Sequence, residues 1–128
     1  MHAWDDCALT VLARVVSRPA PDRVILDSGS KTLTIDIARG SGETRGFGAV
    51  LEDLESTAPD PALVIERLSE EHANVRDTAG TRTRVPGDLV RIVPNHSCVV
   101  SNLVDRVYVV DGMRVEDELD VEARGRIT

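Results

Sequence analysis

Turn-forming residues divide this chain into pieces of strand length. Pro19 and Pro21, the Gly-centred run DSGS from Asp27 to Ser30, four glycines from Gly40 to Gly48, Pro86-Gly87 and Asp111-Gly112 interrupt a sequence rich in valine. Short β-branched segments bounded by Gly and Pro clusters at roughly ten-residue spacing read as strands of a barrel or sandwich. ALTVLARVVSR, Ala8 to Arg18, alternates, and Pro19 and Pro21 separate it from the next strand, RVILD. In KTLTIDIA, Lys31 to Ala38, residues Leu33, Ile35 and Ile37 share one face and Thr32, Thr34 and Asp36 the other, the pattern of a half-buried strand. RGSGETRGFG, Arg39 to Gly48, is expected to be a long loop, the kind of segment that tends to carry function.

PDPALVIERLSEEHANVRD, Pro59 to Asp77, is compatible with a helix start or with a strand through LVIERL. VPGDLVRIVP predicts a turn at Pro86-Gly87 and then a strand. RVYVVDGMRVED predicts a hairpin around Asp111-Gly112, with the type I′ turn that wants positive φ at both central residues. The expectation is one domain over residues 1–128, all-β in class, mostly strand with one or two short helices and barrel-like.

With Trp4, Phe47 and Tyr108 as the only aromatics, the core must rest on Val, Leu, Ile and Ala. A chain of 128 residues can bury roughly two thirds of its unfolded surface without disulfides. The net charge of -7, with no basic run, argues against nucleic acid and anionic membranes as partners. The sequence holds no apolar run of about 18 residues, and its first residues lack the pattern of a signal peptide, so a cytoplasmic protein is expected. In that compartment Cys7 and Cys98 are expected to be reduced. No glycine motif follows a strand and opens a helix in the manner of a phosphate-binding loop.

The chemistry concentrates in IVPNHSCVV, Ile92 to Val100. If Val93 to Val100 is extended, alternation puts His96 and Cys98 on one face, about 7 Å apart at Cα. An imidazole beside a thiolate suits zinc better than a hard cation. The competing reading is a buried thiol packed as a small hydrophobe next to a histidine satisfied by a backbone carbonyl. Pro94 and Asn95 place an exposed turn just before the pair. Two ligands are fewer than a zinc site uses, so the rest come from Glu70, Glu71, His72, Cys7 or His2, or from water and substrate, and an open site of the latter kind is catalytic in character. LSEEHA, Leu68 to Ala73, is either a solvated charged turn or a source of catalytic partners in Glu71 and His72. Lys31, the single lysine, is expected to be a solvated amine whose pKa is raised by Asp27 and Asp36, and so a poor Schiff-base nucleophile.

Five stretches taken in order, DCALTVLARVVSRPAPDRVILDSGSKTLTID, LSEEHA, VPGDLVRIVPNHSC, YVVDG and VEARGR, resemble the C-terminal domain of the D-threonine aldolase and D-serine dehydratase family. That family belongs with the alanine-racemase-like, fold-type III pyridoxal phosphate enzymes. The resemblance implies a mostly β domain that closes an active site. It also implies an N-terminal (β/α) barrel, absent from this chain, whose lysine holds the pyridoxal phosphate, so that the chain alone is inactive. His96 and Cys98 match the family's metal pair. Cysteine leans toward zinc, whereas members with aspartate there take manganese or another divalent ion. The implied substrate is a D-3-hydroxy amino acid whose 3-hydroxyl meets the metal, leading either to elimination or to Cα–Cβ cleavage. The implied partners are the barrel domain and a second subunit of a homodimer, and the domain should expose an apolar docking patch. Two alternatives stay open: a freestanding, non-catalytic metal-binding or interaction module that retains the fold, and a closed structural zinc built from Cys7, His72, His96 and Cys98.

Overall fold

In a computed structural model, residues 4–37, 46–80 and 83–126 are described. Among the described residues eight strands form, six in one sheet and two in a separate hairpin. The six are β1 (Val11–Ala20), β2 (Arg23–Leu26), β3 (Ala49–Val50), β4 (Leu63–Leu68), β5 (Ala73–Asp77) and β6 (Leu89–Val93). Their order is β3-β6-β1-β2-β5-β4, and every pairing is antiparallel. The two ends of this sheet meet: Phe47 N–H donates to the Ile65 carbonyl at 3.1 Å and Asp60 N–H to the Val50 carbonyl at 2.8 Å. The sheet is thereby a nearly closed barrel, which removes most of its exposed edge. Gly46 makes this approach possible, since at its φ of 98° a β-carbon would collide with the Ile65 carbonyl.

Alternation along the strands fills the barrel. Ala13 and Val15 of β1, Val24 and Leu26 of β2, Ile65 of β4, Val75 of β5 and Val90 and Ile92 of β6 all point inward with Leu33 and Val50. The core is aliphatic, as the scarcity of aromatics requires. One end of the barrel is tied by a buried ion pair, Arg18 Nη2 to Asp77 Oδ2 at 2.6 Å, with Asp77 also accepting from the Ala79 and Gly80 N–H groups. The ambiguous 59–77 segment resolves into β4, a turn and β5.

Three details of the sequence reading change. Pro19 does not end the first strand; it lies within β1, where the pairing with β2 is irregular between Ser17 and Ala20, and such irregularities are where a sheet tolerates proline. KTLTIDIA is not a strand over its described residues. Ser30–Leu33 is instead a short helix, α1, because the Ser30 and Lys31 N–H groups donate to the Ser69 and Glu70 carbonyls and dock the chain end-on against the β4–β5 turn. Thr34 then takes a φ of 64°, and Ile35 and Ile37 are left 71% and 69% exposed. The Arg39–Gly48 loop falls outside the described residues as far as position 45. Beyond the barrel, β7 (Arg106–Asp111) and β8 (Arg114–Asp120) form the expected hairpin, but its loop is Gly112-Met113, with positive φ at Gly112 alone rather than the type I′ pair.

The hairpin pairs only with itself among the named strands, and every residue of β8 is exposed. A cavity of about 350 Å³ separates it from the outer side of β1 and β6, lined by Leu12, Leu54, Arg91, Val100, Tyr108 and Met113 among others. Among the described residues, no helix is long and apolar enough to cross a membrane.

Candidate functional site

The strand β6 leaves the barrel at Val93, and the next residues do not continue it. Buried Pro94 ends the ladder, Asn95 turns the chain, and Ser97–Ser101 forms a second short helix, α2. His96 is therefore the residue that caps α2 and Cys98 lies in its first turn, so the alternation expected for an extended 93–100 segment does not apply. Only Val100 of α2 is buried. Both His96 and Cys98 face solvent, and Cys98 is a free thiol rather than a packed hydrophobe.

His96 is held by a residue that the sequence reading placed on the polar side of a strand. Its Nδ1 lies 2.8 Å from Asp36 Oδ2. An ionised carboxylate only accepts, so in the neutral form of the ring this contact places the proton on Nδ1 and leaves Nε2 with the lone pair for a ligand. Asn95, next in the chain, donates its side-chain amide to the Asp36 carbonyl at 3.0 Å and to the Gly46 carbonyl at 2.9 Å. The segment after α1, the end of the glycine loop and the exit of β6 are joined here. Asp36 had no signal of its own in the sequence: a carboxylate in a period-2 pattern reads as the outward face of a strand.

The other sequence candidates sit elsewhere. Glu71 and His72 belong to the exposed turn between β4 and β5, where His72 N–H donates to Ser69 Oγ. Lys31 reaches the same turn, 2.7 Å from Glu71 and 2.9 Å from Glu70. Its pKa is raised first by the hydrogen bond to Glu71 and then by that to Glu70; these, rather than the expected Asp27 and Asp36, are its partners. Glu71 is shifted the opposite way by the same contact with Lys31. Cys7 is exposed and free, between the first turn of the chain and β1. Among the described residues no three His, Cys, Asp or Glu side chains are grouped to hold a metal, so the closed site of Cys7, His72, His96 and Cys98 is not formed. His2 lies outside the described residues.

This arrangement sits in a chain whose residues 8–110 match a known family model, the "Putative serine dehydratase domain". The chain belongs to that family. It is 37% identical over 129 residues to a D-threonine aldolase of Arthrobacter sp, covering 97% of this chain but only 30% of the aldolase. It is 38% identical over 125 residues to the Mycobacterium tuberculosis protein Rv1414, covering 94% of this chain and 86% of that protein. Among solved structures, the D-threonine aldolase of Filomicrobium marinum superposes with a TM-score of 0.75 at 27% identity, over 93% of this chain and 29% of the enzyme. The D-threo-3-hydroxyaspartate dehydratase of Delftia sp. HT23 does so with a TM-score of 0.73 at 26% identity, over 94% and 34%. The chain thus spans about a third of the enzymes it resembles, matches their domain in fold and is a lyase-related domain.

Proposed function

We propose that this chain is the metal-bearing, active-site-closing domain of a pyridoxal phosphate-dependent lyase acting on D-3-hydroxy amino acids, of the aldolase or dehydratase type. The observation that carries the reading is the placement of His96 and Cys98. Both are exposed on one turn at the mouth of the barrel, within a domain related to D-threonine aldolase. The donor set fits a metal: an imidazole with Nε2 free of its Asp36 contact and a thiol outside any disulfide. His96 and Cys98 would hold the ion, and a borderline metal such as zinc matches them better than a hard one. When bound, such an ion supplies Lewis acidity toward a substrate hydroxyl. The chain's own residues provide the oriented imidazole, the thiolate and open approach from solvent.

Pyridoxal phosphate itself does not fit this chain. Lys31, the single lysine, is held charged between two glutamates, the reverse of what a Schiff-base lysine requires. The cofactor then belongs to a barrel domain, and the apolar flank of the β7–β8 hairpin is a suitable surface to receive that domain or a second subunit. In the complete enzyme, His96→Ala and Cys98→Ala should each abolish turnover while leaving the cofactor's absorbance unchanged. Cys98→Asp should retain a metal but shift preference from zinc toward manganese. Full turnover in either alanine variant would remove the pair from the chemistry.

A second reading, a freestanding metal-binding or interaction module without catalysis of its own, is favoured by Rv1414, most of whose length this one domain accounts for. It predicts metal binding by the chain alone and no lyase turnover when a barrel domain of the family is supplied. Recovered turnover would exclude it.

A further inference from the structure

Asp36 is fixed at three points while the residues beside it are bare. Its N–H donates to Thr34 Oγ1 at 3.2 Å, its carbonyl accepts from Asn95 at 3.0 Å, and its carboxylate Oδ2 lies 2.8 Å from His96 Nδ1. Its neighbours Ile35 and Ile37 are mostly exposed, so apolar burial does not hold this segment in place. Thr34, a buried β-branched residue, carries the one positive φ among the described non-glycine residues. Such a conformation persists only where the surroundings over-determine it, and it is found disproportionately at functional sites. The polar contacts converge on the orientation of a single carboxylate, and that carboxylate faces a single imidazole nitrogen.

We propose that Asp36 is a positioning residue for metal binding at His96, with Asn95 holding Asp36 in turn. This rests on the reading of His96 as a metal ligand. The carboxylate selects the tautomer with Nδ1 protonated, which leaves Nε2 bare, and it fixes the plane of the ring. A histidine that ligates through one nitrogen commonly donates the other N–H to a carboxylate or carbonyl, and loss of that partner costs about 10- to 100-fold in metal affinity. Asp36 acts through His96 and is not itself a ligand.

Cobalt(II) titration of the full 128-residue chain tests this, with the thiolate-to-cobalt charge-transfer absorbance reporting Cys98 and a competing chelator giving the affinity. Asp36→Asn keeps size and shape but presents an N–H₂ to Nδ1 as readily as an oxygen. It should weaken cobalt binding about 10- to 100-fold while the metal-free melting temperature stays put. Nitrogen NMR of the metal-free wild-type chain should show His96 protonated at Nδ1 when neutral, with mixed tautomers in Asp36→Asn. Wild-type affinity in Asp36→Asn, together with loss of binding in His96→Ala, would overturn the role of Asp36 and leave the metal reading intact. So would a lowered metal-free melting temperature with unchanged affinity, which is the mark of a merely structural contact. A wild-type ring protonated at Nε2 overturns the proposal without any variant. Absence of cobalt binding by the wild-type chain would remove the metal reading and this inference together.

Discussion

The barrel and the β7–β8 hairpin are built from the same kinds of residue, yet one consumes its valines and the other displays them. In the barrel, residues from all six strands point inward, and Ile65, Ile92, Val15 and Leu26 are almost wholly buried. In the hairpin Val109, Val110, Val115 and Leu119 belong to two paired strands and yet remain 42–59% exposed. A run of β-branched residues therefore specifies a strand but not a core. Burial requires a second surface, which the closed sheet supplies to itself and which a lone two-stranded ribbon lacks. The hairpin is held by its ladder and by rim ion pairs such as Arg106 with Glu118. Its apolar residues stay largely in contact with solvent.

The sharpest break of this comparison comes from the barrel's buried charge. Removing one partner of a buried ion pair costs about 3–5 kcal/mol, so Asp77→Ala should strip most of the chain's stability by leaving Arg18 uncompensated in a denaturant melt. The same pair sets an acid limit. Burial opposes ionisation of Asp77, but the Arg18 hydrogen bond and charge and the Gly80 and Ala79 N–H groups outweigh it and leave its pKa below the ordinary 3.8. A carboxyl depressed in the folded state stabilises the fold above its unfolded pKa. That contribution should be lost as pH falls below 3.8 through the lower folded value, and an acid titration of the Asp77→Asn variant should lack this component.

Next in size, Ile65→Ala should cost about 2–5 kcal/mol by opening a cavity at the barrel seam. Gly46→Ala should cost more than about 1 kcal/mol because its positive φ and the Ile65 carbonyl both oppose a β-carbon. The smallest effects should fall in the hairpin. Val115→Ala or Leu119→Ala should stay within about 0.5 kcal/mol in the chain alone. The same substitutions should weaken association measurably once a barrel domain is present, and a large loss of stability in the isolated chain would show that the hairpin is part of the core after all. Amide exchange in β7 and β8 should be fast relative to β1 and β6, ordering the two regions without mutation.

Much of this molecule was legible without coordinates. Repeated turn residues set the strand lengths, the lack of aromatics set an aliphatic core, and Pro86-Gly87 and the Asp111–Met113 turn marked real chain reversals, because these are local preferences that operate wherever the residues are placed. His96 and Cys98 stood out for the same reason: their side-chain chemistry does not depend on the backbone beneath them. The geometry that matters was decided elsewhere. KTLTIDIA alternates as well as β1 does, but the carbonyls of Ser69 and Glu70 captured its first N–H groups and turned it into a helix and a bent segment. That contact spans some forty residues of chain and has no local signature. From the same bend came the meeting of Asp36 with His96 across sixty positions. Sequence periodicity reports which side chains share a face of one element. Which carboxylate stands beside which imidazole depends on how distant elements pack, and only the closed barrel brings those two together.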